Sequence, residues 1–183
     1  MCAIGYYTYD DYKKWKGEWE LIYGQAVAMS PAPVISHQSV AFEIARQIGN
    51  NLTCQECAVV LEEDWIINED TVLRPDVSLI CNEEGDFITK APKVIVEVVS
   101  KSSSKKDEKI KFEIYEKEKV NYYILAYPNH LKAKAYKLKD GRFDKIGDFS
   151  SEVLAIDDNE CATKVDFSEV FRRLREKKFN SNE

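Results

Sequence analysis

Two acids stand in segments that otherwise read as buried β-strand. Asp76 follows Pro75 and opens Asp76-Val-Ser-Leu-Ile80, and Glu97 interrupts the run Val94-Ile-Val-Glu-Val-Val99. A carboxylate in an apolar strand costs free energy unless something neutralises or uses it. Two strands joined by a short turn-rich stretch can bring both acids to one spot, where they repel and favour a shared cation. The chemistry this predicts is a divalent-metal site, and metal-assisted hydrolysis is one use of such a site. Helical spacing then places Asp107, Lys111 and Tyr115 on one stripe, at i, i+4 and i+8. A lysine beside a carboxylate pair can hold or deprotonate a water, or stabilise a developing oxyanion.

The elements that must position these residues follow from periodicity and punctuation. Thr8 to Trp15 reads as a short helix with Thr8 as its N-cap and acids in its first turn. Glu18–Tyr23 and Gln25–Met29 read as strands joined at Gly24, and Pro31 and Pro33 stop them. Ser36 is expected to cap a helix through about Leu52, with Val40, Ile44 and Ile48 on its apolar face. Ala58–Ile67 and Leu73–Ile80 read as strands around a turn at Asn68–Asp70. Lys93–Val99 is a continuous apolar run, as in a central strand buried on both faces. Ser102 to Ser104 offer caps for a helix from about Lys105 to Lys119. Strands follow at Asn121–Ala126, Leu131–Leu138 and about Phe143–Ile146, the second of them exposed or at an edge. Asp166–Arg175 reads as a terminal helix. A helix between two buried strands implies a right-handed crossover. The predicted architecture is α/β, bordering on α+β: a mixed central β-sheet flanked by helices. One domain over residues 1–176 and a frayed tail over 177–183 are expected.

Composition narrows the function. A chain of 183 residues with 44% hydrophobic content can bury one real core. Its net charge of −6 argues against binding nucleic acid by charge alone, so any DNA contact needs a local basic patch. Lysines are dense from Lys101 to Lys119, but interleaved acids make that stretch read mainly as a solvated helix face. No apolar run approaches the roughly 18 residues of a membrane helix, and no signal peptide is visible at the N-terminus. The expected location is the cytoplasm, with no membrane association. Five cysteines, an odd number, fit reduced thiols. Cys54-Gln-Glu-Cys57 has C-x-x-C spacing, but a zinc site needs two more ligands, and Cys2, Cys81 and Cys161 are scattered singly.

Pro75-Asp76 followed by Glu97 in an apolar strand resembles the PD-(D/E)xK nuclease superfamily. The chain is similar to one branch of it, the Uma-two family of restriction-endonuclease-like bacterial proteins. The resemblance rests on Trp19-Glu-Leu-Ile-Tyr-Gly24, Met29-Ser-Pro-Ala-Pro33 before His37, Leu73-Arg-Pro-Asp-Val77 and Ala91-Pro-Lys-Val-Ile-Val-Glu-Val-Val-Ser100. Asp107 to Tyr115 and Asn121-Tyr-Tyr-Ile-Leu125 extend it, and the segments span Tyr7 to Tyr136. Each motif is short; their order and spacing are specific.

The resemblance implies a restriction-endonuclease-like fold and an endonuclease that hydrolyses DNA with Mg²⁺, Mn²⁺ being an alternative. Asp76 and Glu97 match the metal ligands, with the Val98 carbonyl as a third. The superfamily's lysine sits two residues after the acid, where this chain has Val99. Lys111 matches the helix lysine that replaces it in this branch, with Lys101 and Lys109 as rivals. Glu20 and His37 match recurrent polar positions that complete the site, with Glu20 as a candidate ligand for a second cation or an outer-shell water, and Asp107 and Tyr115 are auxiliary. A homodimer acting on two strands is consistent with such enzymes. Simpler readings stay open: Glu97 and Lys111 can be a structural pair, Asp76 a turn residue and His37 a structural histidine. The rival function is a catalytically inactive nuclease fold that serves as a binding or interaction module. A third reading is a hydrolase for a small phosphorylated molecule.

Overall fold

The apolar run around Glu97 becomes the middle of a sheet. β7 (Val94–Val98) is buried at every residue and pairs with two neighbours, β6 (Val77–Cys81) antiparallel and β8 (Tyr122–Tyr127) parallel. β3 (Cys57–Leu61) lies outside β6, and β9 (Lys132–Lys139) and β10 (Arg142–Phe149) lie outside β8. The result is a six-stranded mixed sheet in the order β10-β9-β8-β7-β6-β3. The computed structural model describes residues 5–29, 34–100, 106–157 and 161–180.

Each face of that sheet has its own cover. Val77, Leu79, Val94, Val96, Val98, Ile124 and Ala133 meet α2 (Ile35–Asn51) and α4 (Phe167–Asn180) through Val40, Ile44, Ile48, Val170 and Phe171. Ile95, Val99, Tyr123 and Leu125 point to the other face, where they meet Ile114 and Tyr115 of α3 (Phe112–Lys117). A second sheet, β2-β1-β5-β4, completes that cover with Ile22, Trp65 and Leu73. Its strands are β1 (Trp19–Ile22), β2 (Gln25–Ala28), β4 (Trp65–Asn68) and β5 (Thr71–Leu73). Side chains alternate along a strand, so Glu20 shares the inward face of β1 with Ile22, and Glu97 shares a face with Ile95 and Val99. Both acids thus lie between the two sheets. α1 (Tyr9–Tyr12) begins after Thr8, whose backbone N–H donates to Asp11 Oδ2 at 3.1 Å. No described helix is long and apolar enough to cross a membrane.

Several elements depart from their expected form. The expected strand 58–67 is two strands in different sheets, parted at Glu62, whose φ of 52° turns the chain. The expected strand 73–80 also divides, into β5 and β6. Pro75 lies at that division and has no N–H to give a ladder. Ser36 lies inside α2; extended Val34 holds the N-cap place, without a side-chain cap bond. The expected caps Ser102 to Ser104 and the stops Pro31 and Pro33 fall outside the described residues. The helix after them opens as a π-helical turn, Lys106–Lys111, and continues as α3. A hairpin of β11 (Val153–Asp157) and β12 (Ala162–Asp166) was not expected. The four described cysteines are not separate thiols: Cys54 is paired with Cys161 and Cys57 with Cys81 as disulfides. Cys57 and Cys81 meet because the β3–β6 register sets them opposite each other.

The β12–α4 junction rests on one cap. Asp166 Oδ1 accepts the Ser168 N–H at 2.8 Å, and buried Gln47 of α2 accepts the Asp166 N–H at 2.6 Å. The Ser168 hydroxyl, with backbone bonds from Ser168 and Glu169, outweighs burial and holds the Asp166 carboxyl below its usual range. A depressed folded pKa stabilises above the unfolded value of about 3.9 and is lost as pH falls through the lower folded value. Asp166→Ala should therefore cost about 1 kcal/mol at neutral pH, read as a lower urea midpoint at unchanged m-value. The difference should close in strong acid.

Candidate functional site

Asp76 and Glu97 are brought together by strand register. Val77 pairs with Val96 and Ser78 with Ile95, so continuing one residue further sets Asp76 opposite Glu97. Directly opposed residues put their Cβ atoms roughly 4.5–5.5 Å apart. Past the end of β6, the Asp76 side chain takes over the ladder: its Oδ2 accepts the Val98 N–H at 2.6 Å. In an antiparallel sheet a residue turns its N–H and C=O to the same neighbour. The Val98 carbonyl therefore leaves β7 on the Asp76 side.

Lys111 is the cation of the cluster. It is 2% exposed, and its Nζ lies 2.7 Å from both Glu97 Oε1 and Glu20 Oε1. The Tyr115 hydroxyl donates to the same Glu97 oxygen at 2.7 Å. Lys109, its sequence rival, is exposed, and Lys101 lies outside the described residues. Asp107, Lys111 and Tyr115 are buried on one stripe of the π-α segment, as their spacing predicts. Glu20 is fully buried: it accepts from Lys111, from Lys106 at 2.6 Å and from the Arg74 N–H at 3.1 Å. His37 enters from the first turn of α2, with Nε2 at 3.2 Å from Asp76 Oδ2.

The two buried glutamates behave differently. Burial pushes the Glu97 carboxyl well above the usual carboxylate range; Lys111 opposes this, while Asp107, Asp76 and Glu20 add to it. Burial acts on Glu20 the same way, but Lys111 and Lys106 outweigh it and hold its pKa below the ordinary value. The asymmetry follows from partners, since Glu20 has two ammonium groups and Glu97 shares one. Burial would lower the Lys111 pKa, yet Glu20, Glu97 and Asp107 outweigh it and keep the ammonium charged. Burial likewise disfavours protonated His37, but the hydrogen bond and charge of Asp76 raise its pKa above normal.

Tyr115 carries a testable part of this arrangement. Its ring is buried against Trp65 and Tyr123, and Tyr115→Phe keeps that packing while deleting the donor to Glu97. A hydrogen bond to a charged group contributes about 1.5–3 kcal/mol. Chemical denaturation of Tyr115→Phe is expected to show a loss of that size.

Residues 8–156 match the model of the Uma2 family, described as "Putative restriction endonuclease". The chain belongs to the Uma2 family. Its fold is similar to the crystal structure of "a putative nuclease" from Anabaena variabilis, with a TM-score of 0.73 at 18% identity. The similarity covers 91% of this chain and 98% of that one. A search of curated proteins found no match. Restriction-endonuclease-like families are generally metal-dependent, and the donor chemistry of this Uma2 chain fits a hard cation. Asp76, Glu97 and the Val98 carbonyl offer oxygen donors, the class that Mg²⁺ and Mn²⁺ take. Four acids (Glu20, Asp76, Glu97, Asp107) face two ammonium groups and one imidazole. Among the described residues, His37 Nδ1 is buried without a hydrogen-bond partner.

Sequence reasoning missed Lys106 and the Arg74 N–H. Lys106 precedes Lys111 by five residues, which is roughly 140° around an α-helix and so off the stripe. In a π-helix the i to i+5 step closes one turn, and both ammonium groups reach Glu20. Such turns occur frequently at functional sites, and no spacing in this segment marks one.

Proposed function

We propose that this Uma2 protein is a Mg²⁺-dependent endonuclease that hydrolyses DNA phosphodiester bonds, with Mn²⁺ as an alternative ion. What supports the reading is Asp76 on the Val98 N–H, next in β7 to Glu97, with Lys111 on Glu97, inside a family of restriction-endonuclease-like proteins. Asp76, Glu97 and the Val98 carbonyl would hold the ion. The bound ion supplies a water of lowered pKa and neutralises phosphate charge.

The chain's own residues supply the rest. Lys111, permanently charged, orients the attacking water or steadies the negative charge that builds on the phosphate. Glu20 is a positioning residue: with its oxygens on Lys111, Lys106 and the Arg74 N–H, it anchors Lys111 rather than a second cation. Tyr115 fixes the rotamer of Glu97, and His37 fixes Asp76. Asp107 adds negative charge that holds the proton on Lys111. Two copies of such a site would cut two strands, so a homodimer and a cytoplasmic location, where DNA is accessible, complete the proposal.

The test is supercoiled plasmid incubated with purified protein and Mg²⁺ or Mn²⁺. Nicked and linear products that vanish with chelator and with Asp76→Ala or Glu97→Ala are expected. Cleavage at the wild-type rate in both variants overturns the mechanism. Val99, in place of the superfamily's lysine, favours a second reading, a binding module without catalysis. No Mg²⁺ or Mn²⁺ binding by calorimetry, with no cleavage, decides for it.

A further inference from the structure

Four cysteines from distant parts of the chain gather at the edge of the main sheet. Cys54 follows α2, Cys57 opens β3, Cys81 closes β6 and Cys161 precedes β12. The sulfurs of Cys54, Cys57 and Cys161 all lie within 4.8 Å of one another, and Cys81 is bonded to Cys57. Backbone bonds independent of sulfur set these positions. Cys57 and Cys81 are directly opposed in the β3–β6 ladder, and the Asn82 N–H donates to the Glu56 carbonyl at 3.0 Å. Beside the other pair, the Thr53 N–H donates to the Ala162 carbonyl at 3.1 Å, and the Ala162 N–H to Thr53 Oγ1 at 3.0 Å.

We propose that Cys54, Cys57, Cys81 and Cys161 form a tetrathiolate zinc site in the reduced protein. Zinc takes four thiolates in a tetrahedron with Zn–S about 2.3 Å, so its sulfurs stand roughly 3.8 Å apart. Cys54, Cys57 and Cys161 already lie within 4.8 Å of one another, and the bonded sulfurs need to part by roughly 2 Å, a side-chain movement. The C-x-x-C pair supplies half of the site, and the fold supplies the two ligands that the sequence leaves scattered. No position is left open for water, so the site is structural: it fastens the β3–β6 edge and the end of α2 to the β11–β12 hairpin. The disulfide-bonded protein is the oxidised form of the same cluster. Two equivalents of a dithiol reduce its two disulfides to four thiols, each dithiol becoming a disulfide. Zinc then displaces the four thiol protons to solvent. The compartment's redox poise selects the form.

The experiment uses the full chain, reduced with dithiothreitol, supplied with zinc, and freed of excess metal and reductant. One zinc per chain by elemental analysis is expected, with four thiols unreactive to Ellman's reagent until a strong chelator is added. Co²⁺ in place of zinc should give the charge-transfer and visible bands of tetrahedral thiolate coordination. Zinc should persist in Asp76→Ala and Cys2→Ser, and fall at least tenfold in affinity in Cys54→Ser and Cys161→Ser. No retained zinc and no cobalt–thiolate bands in the wild type overturn the proposal, as does zinc that survives loss of Cys54 and Cys161 together. Because the cobalt spectrum is read on the wild type, a misfolded variant cannot hide the answer.

Discussion

Lys111→Met is expected to destabilise the protein by about 3–5 kcal/mol, the cost of removing one partner from a buried ion pair. Methionine keeps the unbranched stem, so packing changes little and the effect isolates the charge. The loss falls unevenly on its two partners. Glu20 keeps Lys106 and the Arg74 N–H, whereas among the described residues Glu97 keeps the Tyr115 hydroxyl alone. Adding Glu97→Gln to Lys111→Met should then recover part of the loss, with a coupling of about 0.5–3 kcal/mol. Urea unfolding of the two single variants and the double closes that cycle. A destabilisation below about 1 kcal/mol with additive energies would show that Lys111 is not the charge that makes burial of Glu97 tolerable. Under the proposed function Lys111→Met also loses DNA cleavage at temperatures where it stays folded.

The parts of this cluster legible in the sequence are those whose signal is local. Glu97 stands out because a charge breaks a β-branched run, and Asp76 because it follows a proline at a strand entry. The partnership of Lys111 with Tyr115 is legible through i, i+4 spacing, which survives the change from π-helix to α-helix. Other features depend on contacts that no window contains. The strand expected over 58–67 reads as continuous because Glu62 looks like an ordinary polar residue, and only its left-handed backbone parts the two sheets. β11 alternates exposed and buried residues around Leu154 and Ile156, a period-2 signal that was available but is only two turns of the pattern long. The four cysteines are the extreme case. Cys54 and Cys161 are 107 residues apart, and their meeting is a property of the β12–α2 packing rather than of either segment.

The second large effect is a divergence between stability and metal binding at Glu97. In Glu97→Gln, the amide oxygen can still accept from Lys111 and Tyr115, which both use Oε1 in the wild type. What disappears is a charge that burial and three nearby acids make costly. The sign of the pH dependence follows. A carboxyl whose folded pKa is raised gives stability that is complete below the unfolded value of about 4.3 and lost as pH rises through the folded pKa. Metal-free wild-type protein should therefore lose stability with rising pH across that window, and Glu97→Gln should not. At neutral pH the variant is expected to be at least as stable as the wild type by urea unfolding. Its affinity for Mg²⁺ should nevertheless fall at least ~100-fold, the upper end of what outer-shell changes cost, since a donor oxygen of the site has lost its charge. Calorimetric Mg²⁺ titration beside unfolding curves tests both halves. A Glu97→Gln protein that is destabilised, pH-dependent as before and still binds Mg²⁺ would make Glu97 one half of a structural ion pair. A stable variant that has lost the ion would mark Glu97 as a charge retained for its chemistry, at the expense of the fold.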